Sequence, residues 1–580
     1  MAGWGAVTEL RVWAPRANRV RVRFAPRTAE LDAAPDGWWT VILDDLRPGD
    51  DYAFLLDNAR KPLPDPRSRW QPYGVHGASR VYDDSTFAWT DQRWPGRELP
   101  GAVIYELHVG TFTPGATFDA AAEHLGHLVE LGITHVELLP VNGFNGVWNW
   151  GYDGVDWYAV HEPYGGPDGL KRFVDACHAR GLAVVLDVVY NHLGPRGNYA
   201  TRFGPYLKEG RSTWGDLVNL ESPQVRRFVL DNALIWLREF HVDALRLDAV
   251  HALVDSSTPH ILAELADEVG ALSQQVGRPL TLIAESDLND PVMITPRREG
   301  GYGLDAQWDD DVHHALHALL TGERQGYYCD FGTLAVLAKV FTSAFWHDGT
   351  YSTFRGALHG RPVDRVHTPG YRFVVCLQNH DQVGNRAAGD RLSELASPGL
   401  LRVGAVLLLT SPFTPMLWMG EEWATSTRWP YFTSHPEPSM ARGPLKQRLA
   451  EFSRHGWDVA DMVDPQDPRA YYEAVLDWAE VEAPVHAEVL DLYRRLIALR
   501  AAEPELRDPH LDRVHVDYDE DARWVIVHRG TLRVVANLTG AAQVVPLETS
   551  EVLLSTGRAE PDGDGDGLRL EGESAAVVRG

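Results

Sequence analysis

Four short stretches of this chain place acidic, basic and imidazole side chains directly after apolar, β-branched runs. They are Asp187-Val188-Val189-Tyr190-Asn191-His192, Ala244-Leu245-Arg246-Leu247-Asp248-Ala249-Val250-His251, Leu282-Ile283-Ala284-Glu285 and Gln378-Asn379-His380-Asp381. Buried strands do not end in carboxylates and histidines unless those groups meet partners or a ligand. Asp248 and Glu285 close two consecutive predicted strands, and neighbouring strands lie about 4.8 Å apart. That spacing suits a carboxylate nucleophile and a carboxylic acid, which retaining glycosidases hold about 5–5.5 Å apart. Arg246 shares a strand face with Asp248 by the period of two and can orient it through charge-assisted hydrogen bonds. Asp381 supplies a third carboxylate, whose charge raises the pKa of Glu285 and lets it hold a proton near neutral pH. His192 and His380 can donate to sugar hydroxyls, and Tyr152 offers a flat face to the ring. Taken singly, each residue also has a plainer reading: a strand-end Asp as a loop cap, Arg246 with Asp187 as a structural pair, His251 or His380 as a structural histidine. The concurrence of four such strand ends favours chemistry.

Strands that deliver polar ends to one face describe a (β/α)8 TIM barrel, whose active site lies at the C-terminal ends of its strands. The pattern from Gly101 onward supplies eight strands: Val103–Val109, Thr134–Leu139, Ala183–Val189, Asp243–Leu247, Thr281–Ala284, Asp305–Trp308, Arg372–Leu377 and Pro415–Met419. Apolar residues recur at helical spacing between them, over Ala120–Leu131, Leu170–Arg180, Gln224–Phe240, Ile261–Gln275 and Asp311–Leu320. The loop from Leu193 to Ser222 is long enough to form a small excursion. Before the barrel, Thr8–Ala14, Arg19–Ala25, Trp38–Leu43 and Tyr52–Leu56 alternate as the strands of a β-sandwich. After the helical Leu490–Ala501, a C-terminal all-β domain is expected from Arg513–Tyr518, Trp524–His528, Leu532–Leu538 and Val544–Leu547, with Glu560–Gly567 as a solvated turn. The expected division is 1–95 for a glucan-binding-like sandwich, 96–504 for the barrel and 505–580 for the last domain.

The 580 residues carry 54 basic and 81 acidic side chains, a formal charge of −27 that repels nucleic acid and anionic membranes but not a neutral sugar. The 20 Trp and 20 Tyr suit sugar faces as well as cores. Cys177, Cys329 and Cys376 are too few for a disulfide framework. Met1–Leu10 lacks a secretory pattern, and the apolar Val403–Thr410 is too short to span a bilayer. A cytoplasmic enzyme with no nucleic-acid or membrane partner is expected. No His-Glu-x-x-His helix motif, Cys/His cluster or oxygen-rich calcium loop appears, so neither metal nor other cofactor is expected.

At these residues the chain resembles the α-amylase superfamily, glycoside hydrolase family 13. Its four motifs match the hallmark regions of that family in order and spacing. The resemblance implies Asp248 as nucleophile, Glu285 as acid/base and Asp381 as transition-state stabiliser, with Asp187, His192, Arg246 and His380 beside them. It extends to Arg11-Val12-Trp13-Ala14-Pro15, which looks like the start of the sandwich module of branching and debranching enzymes. A finer resemblance is to the trehalohydrolase branch, carried by Gln307-Trp308-Asp309-Asp310-Asp311-Val312-His313-His314-Ala315-Leu316-His317, Leu320-Thr321-Gly322-Glu323 and Gly326-Tyr327-Tyr328. It implies cleavage of maltooligosyltrehalose and related α-glucans at the α-1,4 bond beside the terminal trehalose. Asp310, Asp311, His313 and His314 are then candidates for the leaving-group side, although the two histidines also read as ordinary helix residues. His251, Asn379 and Gln382 complete the expected substrate contacts. The segment Asn145–Trp150 and Arg428 depart from the pattern and are expected to border the cleft. The alternatives are an α-glucan branching enzyme, which passes the same glycosyl group to a sugar hydroxyl, and a non-catalytic glucan-binding protein.

Overall fold

The computed structural model describes residues 8–455, 459, 462–563 and 567–580. Eight parallel strands close into a barrel. In chain order they are Ile104–Leu107, His135–Leu138, Ala183–Val188, Ala244–Leu247, Thr281–Ala284, Ala306–Trp308, Phe373–Cys376 and Thr414–Trp418. They are called barrel strands one to eight below. Each pairs with its sequence neighbour, and strand eight returns to strand one through Met416↔Ile104. Strand three, Ala-Val-Val-Leu-Asp-Val, is buried throughout, as a parallel strand covered on both faces must be.

The strands are shorter than their apolar runs because polar loops take over at the mouth. Val109 does not extend strand one; it begins a one-turn helix, Val109–Phe112. Strand eight ends at Trp418, one residue before the expected Met419. The expected helix Ala120–Leu131 is two helices, Phe118–Ala122 and Leu125–Leu131, because His124 leaves helical geometry at φ −95°, ψ 0°. The excursion after strand three holds a short helix, Ala200–Phe203, and a hairpin of Leu207–Arg211 with Asp216–Val218. The most apolar segment forms the helix Pro398–Thr410, capped by Ser397 and buried along most of its length. No helix among the described residues is long and apolar enough to cross a membrane.

Before the barrel, two small antiparallel sheets pack around Val12, Val20, Val22 and Phe54, all essentially inaccessible. They rest on the barrel through specific contacts. Trp13 meets Tyr206 edge-on at 5.2 Å, Trp38 Nε1 donates to Gln224 Oε1 at 3.0 Å, and Arg67 Nη1 donates to Asp231 Oδ2 at 2.9 Å. After the barrel, His515–Asp519, Trp524–Arg529, Leu532–Asn537, Ser574–Arg579 and Glu551–Ser555 form a five-stranded sheet in that spatial order. Its inner strand Ser574–Arg579 carries no alternating pattern, since it is buried on both faces. Glu560 belongs to a strand, Ala559–Pro561, rather than to the expected turn, and the centre of that loop, 564–566, lies outside the described residues.

Candidate active site

Strand three delivers Asp187, strand four Arg246 and Asp248, strand five Glu285 and strand seven His380 and Asp381, all at one mouth. Parallel register sets the arrangement. Leu247 of strand four lies beside Ala284 of strand five, so the next residues, Asp248 and Glu285, leave side by side. Asp187 is the register partner of Arg246.

Arg246 is the hub. It is fully buried over the face of Trp308, with the guanidinium carbon 4.1 Å from the ring centroid. Its Nη1 donates to Asp187 Oδ2 at 2.7 Å and to Asp248 Oδ1 at 2.9 Å, while Nη2 lies 3.6 Å from Glu285 Oε2. One cation therefore gathers three carboxyl groups, and its positive charge is stabilised by them. The second oxygen of Asp248 accepts from Asn191 Nδ2 at 2.7 Å. Glu285 accepts a hydrogen bond from the Ala249 amide. Ala249 reaches it from the left-handed region, φ 41°, a strained conformation for a residue with a side chain.

Burial pushes the Glu285 carboxyl up to about 8; Arg246 opposes this, and the charges of Asp248, Asp381 and Asp310 add to it. Burial likewise lifts Asp187 to about 6, against the pull of Arg246. The side chain of Asp381 is 41 % exposed, whereas those of Asp248 and Glu285 are 14 % and 17 % exposed. All three can be reached from solvent in a ring of otherwise buried groups.

Tyr152 Oη donates to Asp187 Oδ2 at 2.6 Å and lies 2.8 Å from His380 Nε2, with the two rings stacked at 5.2 Å. Its loop depends on Gly151, at φ +108°, where a Cβ would sit 2.2 Å from the Pro140 carbonyl oxygen. His380 is held from beneath by Glu106 of strand one, which accepts from its backbone N–H at 3.0 Å and from Nδ1 at 2.5 Å. Burial opposes the imidazolium, but Glu106 and Asp381 outweigh it and raise His380 to about 9. His192 is buried beside Asn191, with burial holding its pKa down. His251 stands at the rim, 3.6 Å from Asp287 and edge-on to the half-exposed Trp214 of the excursion hairpin. Gln382 is half-buried in the short helix His380–Gly384 that carries Asp381.

Several expected contacts lie elsewhere. Asp310 opens the helix Asp310–Thr321 near Glu285, but Asp311 faces away. Its Oδ2 accepts from Asn289 Nδ2 at 2.7 Å and from the backbone amides of Trp346 and His347 at 2.8 and 3.1 Å. It tethers a loop. His313 is fully buried, with Nδ1 2.7 Å from the Leu377 carbonyl and Nε2 2.9 Å from Tyr328 Oη, so neither nitrogen is left for a sugar. The plainer reading holds for it. His314 packs among Tyr327, Tyr328 and Phe331. Asn379 caps its helix through Gln382 N at 2.9 Å. Trp150 is buried, stacked on Trp429 at 4.6 Å and edge-on to His380, so it backs the site instead of lining it. Arg428 pairs with Glu394. Glu106 and Glu137 escaped the sequence reading; each is a carboxylate inside a barrel strand, and that oddity was the available signal.

Residues 117–205 match the family model for the alpha amylase catalytic domain, and 509–577 match one for a domain of unknown function. The chain is 52% identical to a malto-oligosyltrehalose trehalohydrolase from Rhizobium sp. (strain M-11), over 98% of this chain and 97% of that protein. With a protein of the same name from Arthrobacter ramosus it shares 53% identity, over 98% and 99%. A 1,4-alpha-glucan branching enzyme from Corynebacterium efficiens is 28% identical over 73% of this chain and 60% of that one. Among solved structures, one assigned to the alpha amylases from Salmonella typhimurium superposes with a TM-score of 0.91 at 36% identity, covering all of both chains.

Proposed function

This chain belongs to the malto-oligosyltrehalose trehalohydrolases of the α-amylase superfamily, and on that premise we propose how its barrel mouth works. It hydrolyses the α-1,4-glucosidic bond next to the terminal trehalose of maltooligosyltrehalose, releasing trehalose and a maltooligosaccharide. The observation that carries the mechanism is Arg246 gathering Asp187, Asp248 and Glu285 at neighbouring strand ends.

Asp248 is the nucleophile. Arg246 and Asn191 each hold one of its oxygens, which fixes the carboxylate in place for attack on the anomeric carbon. Glu285, raised to about 8, carries the proton that the leaving glycosidic oxygen takes. The same residue then deprotonates the water that cleaves the glycosyl-enzyme, and two displacements give net retention. Asp381, the most exposed of the three, grips hydroxyls of the distorting ring as it approaches the oxocarbenium-like state. The imidazolium of His380 and the ring of Tyr152 form the floor beneath that sugar, with His192 alongside. Asp310, His251 and Gln382 stand where the leaving side and rim would be contacted. This chemistry needs no metal or organic cofactor.

The reading includes a division at 1–95, 96–504 and 505–580, in which the first unit braces the excursion after strand three through Trp13 and the helix that follows it, Pro223–Glu239, through Trp38. It includes action in the cytoplasm, a compartment suited to the three free cysteines. The branching reaction is disfavoured, since the relatives that match end to end are trehalohydrolases. The test is incubation with maltotriosyltrehalose and, in parallel, maltopentaose. Trehalose plus maltotriose from the first, with little change in the second, is expected. Comparable cutting of both would make this a general α-glucan hydrolase, and no release from either would reopen the branching assay.

A further inference from the structure

Far from the barrel mouth in sequence, three potential ligands meet on the five-stranded C-terminal sheet. Register places His515 directly opposite His528 on the adjacent antiparallel strand. Asp517, two residues after His515, shares its face. The imidazole centroids are 5.2 Å apart. Asp517 Oδ1 lies 2.9 Å from His515 Nε2, and Oδ2 lies 2.7 Å from His528 Nε2. One ligand atom from each residue falls within 4.8 Å of the others. A tetrahedral ion with ligands at about 2.0–2.2 Å needs them roughly 3.3 Å apart, so small rotations of surface side chains would close this cluster on a cation.

The donor set identifies the kind of ion. Two imidazoles and one carboxylate, with no thiolate, suit zinc and its borderline neighbours better than calcium or magnesium, which take oxygen ligands. Side-chain exposures of 70 %, 48 % and 24 % for His515, Asp517 and His528 leave an outer position for water. Arg533 stands opposite His528 on the third strand, and its charge opposes that of a bound cation. Without metal, Asp517 accepts a hydrogen bond from each ring, and binding would exchange those two bonds for coordination.

We propose that His515, Asp517 and His528 form a zinc-binding site that clamps the edge strand of the C-terminal sheet to its neighbour. The place gives the clamp leverage. His515–Asp519 is the edge strand and packs on the helix Leu334–Ser343. In the turn of the same hairpin, Glu520 accepts from Leu334 N at 2.9 Å, at the start of that helix. Zinc would fasten the open end of a hairpin whose closed end holds a barrel helix.

The test uses the full chain, stripped with chelator and titrated with zinc chloride by calorimetry, alongside H515A, D517N and H528A. Wild type is expected to bind one equivalent that each substitution weakens by at least about tenfold, and that magnesium does not displace. The chain has 24 histidines, so the diagnostic quantity is the equivalent that these substitutions remove. Zinc should raise the melting temperature of wild type more than that of the H515A/H528A double variant. Metal-free melting of H515A should match wild type because that side chain is exposed; H515Q repeats the comparison if it does not. Unchanged zinc binding in the double variant, or no binding by wild type at micromolar zinc, would overturn the site.

Discussion

Barrel strand four has an aspartate at each end, Asp243 entering and Asp248 leaving, and the two ends of the barrel treat buried charge differently. Asp243 accepts from Trp94 Nε1 at 2.8 Å, His178 Nε2 at 2.9 Å, Val184 N at 2.9 Å and Arg278 Nη1 at 2.5 Å. Burial works against its charge, but His178 and Arg278 outweigh burial and hold the carboxyl below its usual range. His178 is itself held by Asp91 at 2.8 Å. At the other end, Arg246 Nε and Nη2, Asp187 Oδ1, Gln307 Nε2 and both oxygens of Glu137 are buried without a hydrogen-bond partner in the protein. Buried polar groups are ordinarily paired. A barrel satisfies its charges at the end that serves stability and leaves them under-satisfied at the end that meets a ligand. The comparison separates a structural aspartate from the proposed nucleophile on a single strand.

The largest expected effect would break that pairing of roles outright. D248A should lower kcat by at least about 10⁴-fold, the scale on which loss of a nucleophile acts. Its melting temperature should not fall, because removing a carboxylate from a crowded acidic mouth relieves repulsion. Near-normal turnover, measured as trehalose release, would remove Asp248 from the mechanism. D243A should do the reverse. It leaves Arg278 and His178 facing an empty place, which costs about 3–5 kcal/mol when one partner of a buried charge pair is lost. Activity per folded molecule should stay close to wild type. Denaturant unfolding with parallel assays checks both halves, and equal behaviour of the two variants would dissolve the contrast.

The mouth was the legible part of the sequence, and physics explains why. Asp187, Arg246, Asp248, Glu285 and Asp381 each follow an apolar run, and a carboxylate there contradicts core packing unless something uses it. Asp311 and His313 misled because a cluster of charged residues on a helix looks like a site from one dimension. In three dimensions Asp311 ties down a loop and His313 bonds to Leu377 and Tyr328. Strand Ser574–Arg579 was missed because burial on both faces erases alternation. Asp243 gave no hint of its network, whose partners Trp94, His178 and Arg278 are scattered along the chain. The His515–His528 pair was equally invisible, since cross-strand register carries no fixed sequence spacing.

Glu106 sharpens the comparison from within the mouth, because it is a charge that is satisfied there. Its two oxygens hold His380, and its charge does most to raise that imidazole from 6.5 to about 9 against burial. The sign follows from the raised value. Stability from this pair is complete below the unfolded imidazole value and is lost as pH rises through about 9. In E106Q the ring loses its anionic partner and its pKa drops. We expect kcat/KM to fall by about ten- to a hundredfold, the scale of a displaced contact group. We also expect a new ionisation to enter the pH profile below about 9. A uniform loss with an unchanged profile would make Glu106 a packing residue only.

The smallest effect concerns how the mouth tunes its proposed acid, Glu285. Glu285 stands at about 8, so it holds its proton across neutral pH, and kcat/KM should decline on the alkaline side as that proton is lost. The decline approaches tenfold per pH unit, because only the protonated form can assist the leaving oxygen. Asp310 contributes to the elevation by like charge, after burial, Asp248 and Asp381. Removing its charge therefore favours the ionised form of Glu285 and moves the alkaline limb to lower pH. For D310N the shift should be less than about one unit, or about 1.4 kcal/mol, since Asp310 adds less than Asp248 or Asp381. D381N would move the limb the same way but lowers the rate as well, so D310N is the cleaner probe. An unmoved limb in D310N, with the limb still near 8, would strike Asp310 from the elevation and leave it to burial with Asp248 and Asp381. Asp310 would then serve sugar binding on the leaving side and leave the acid untouched.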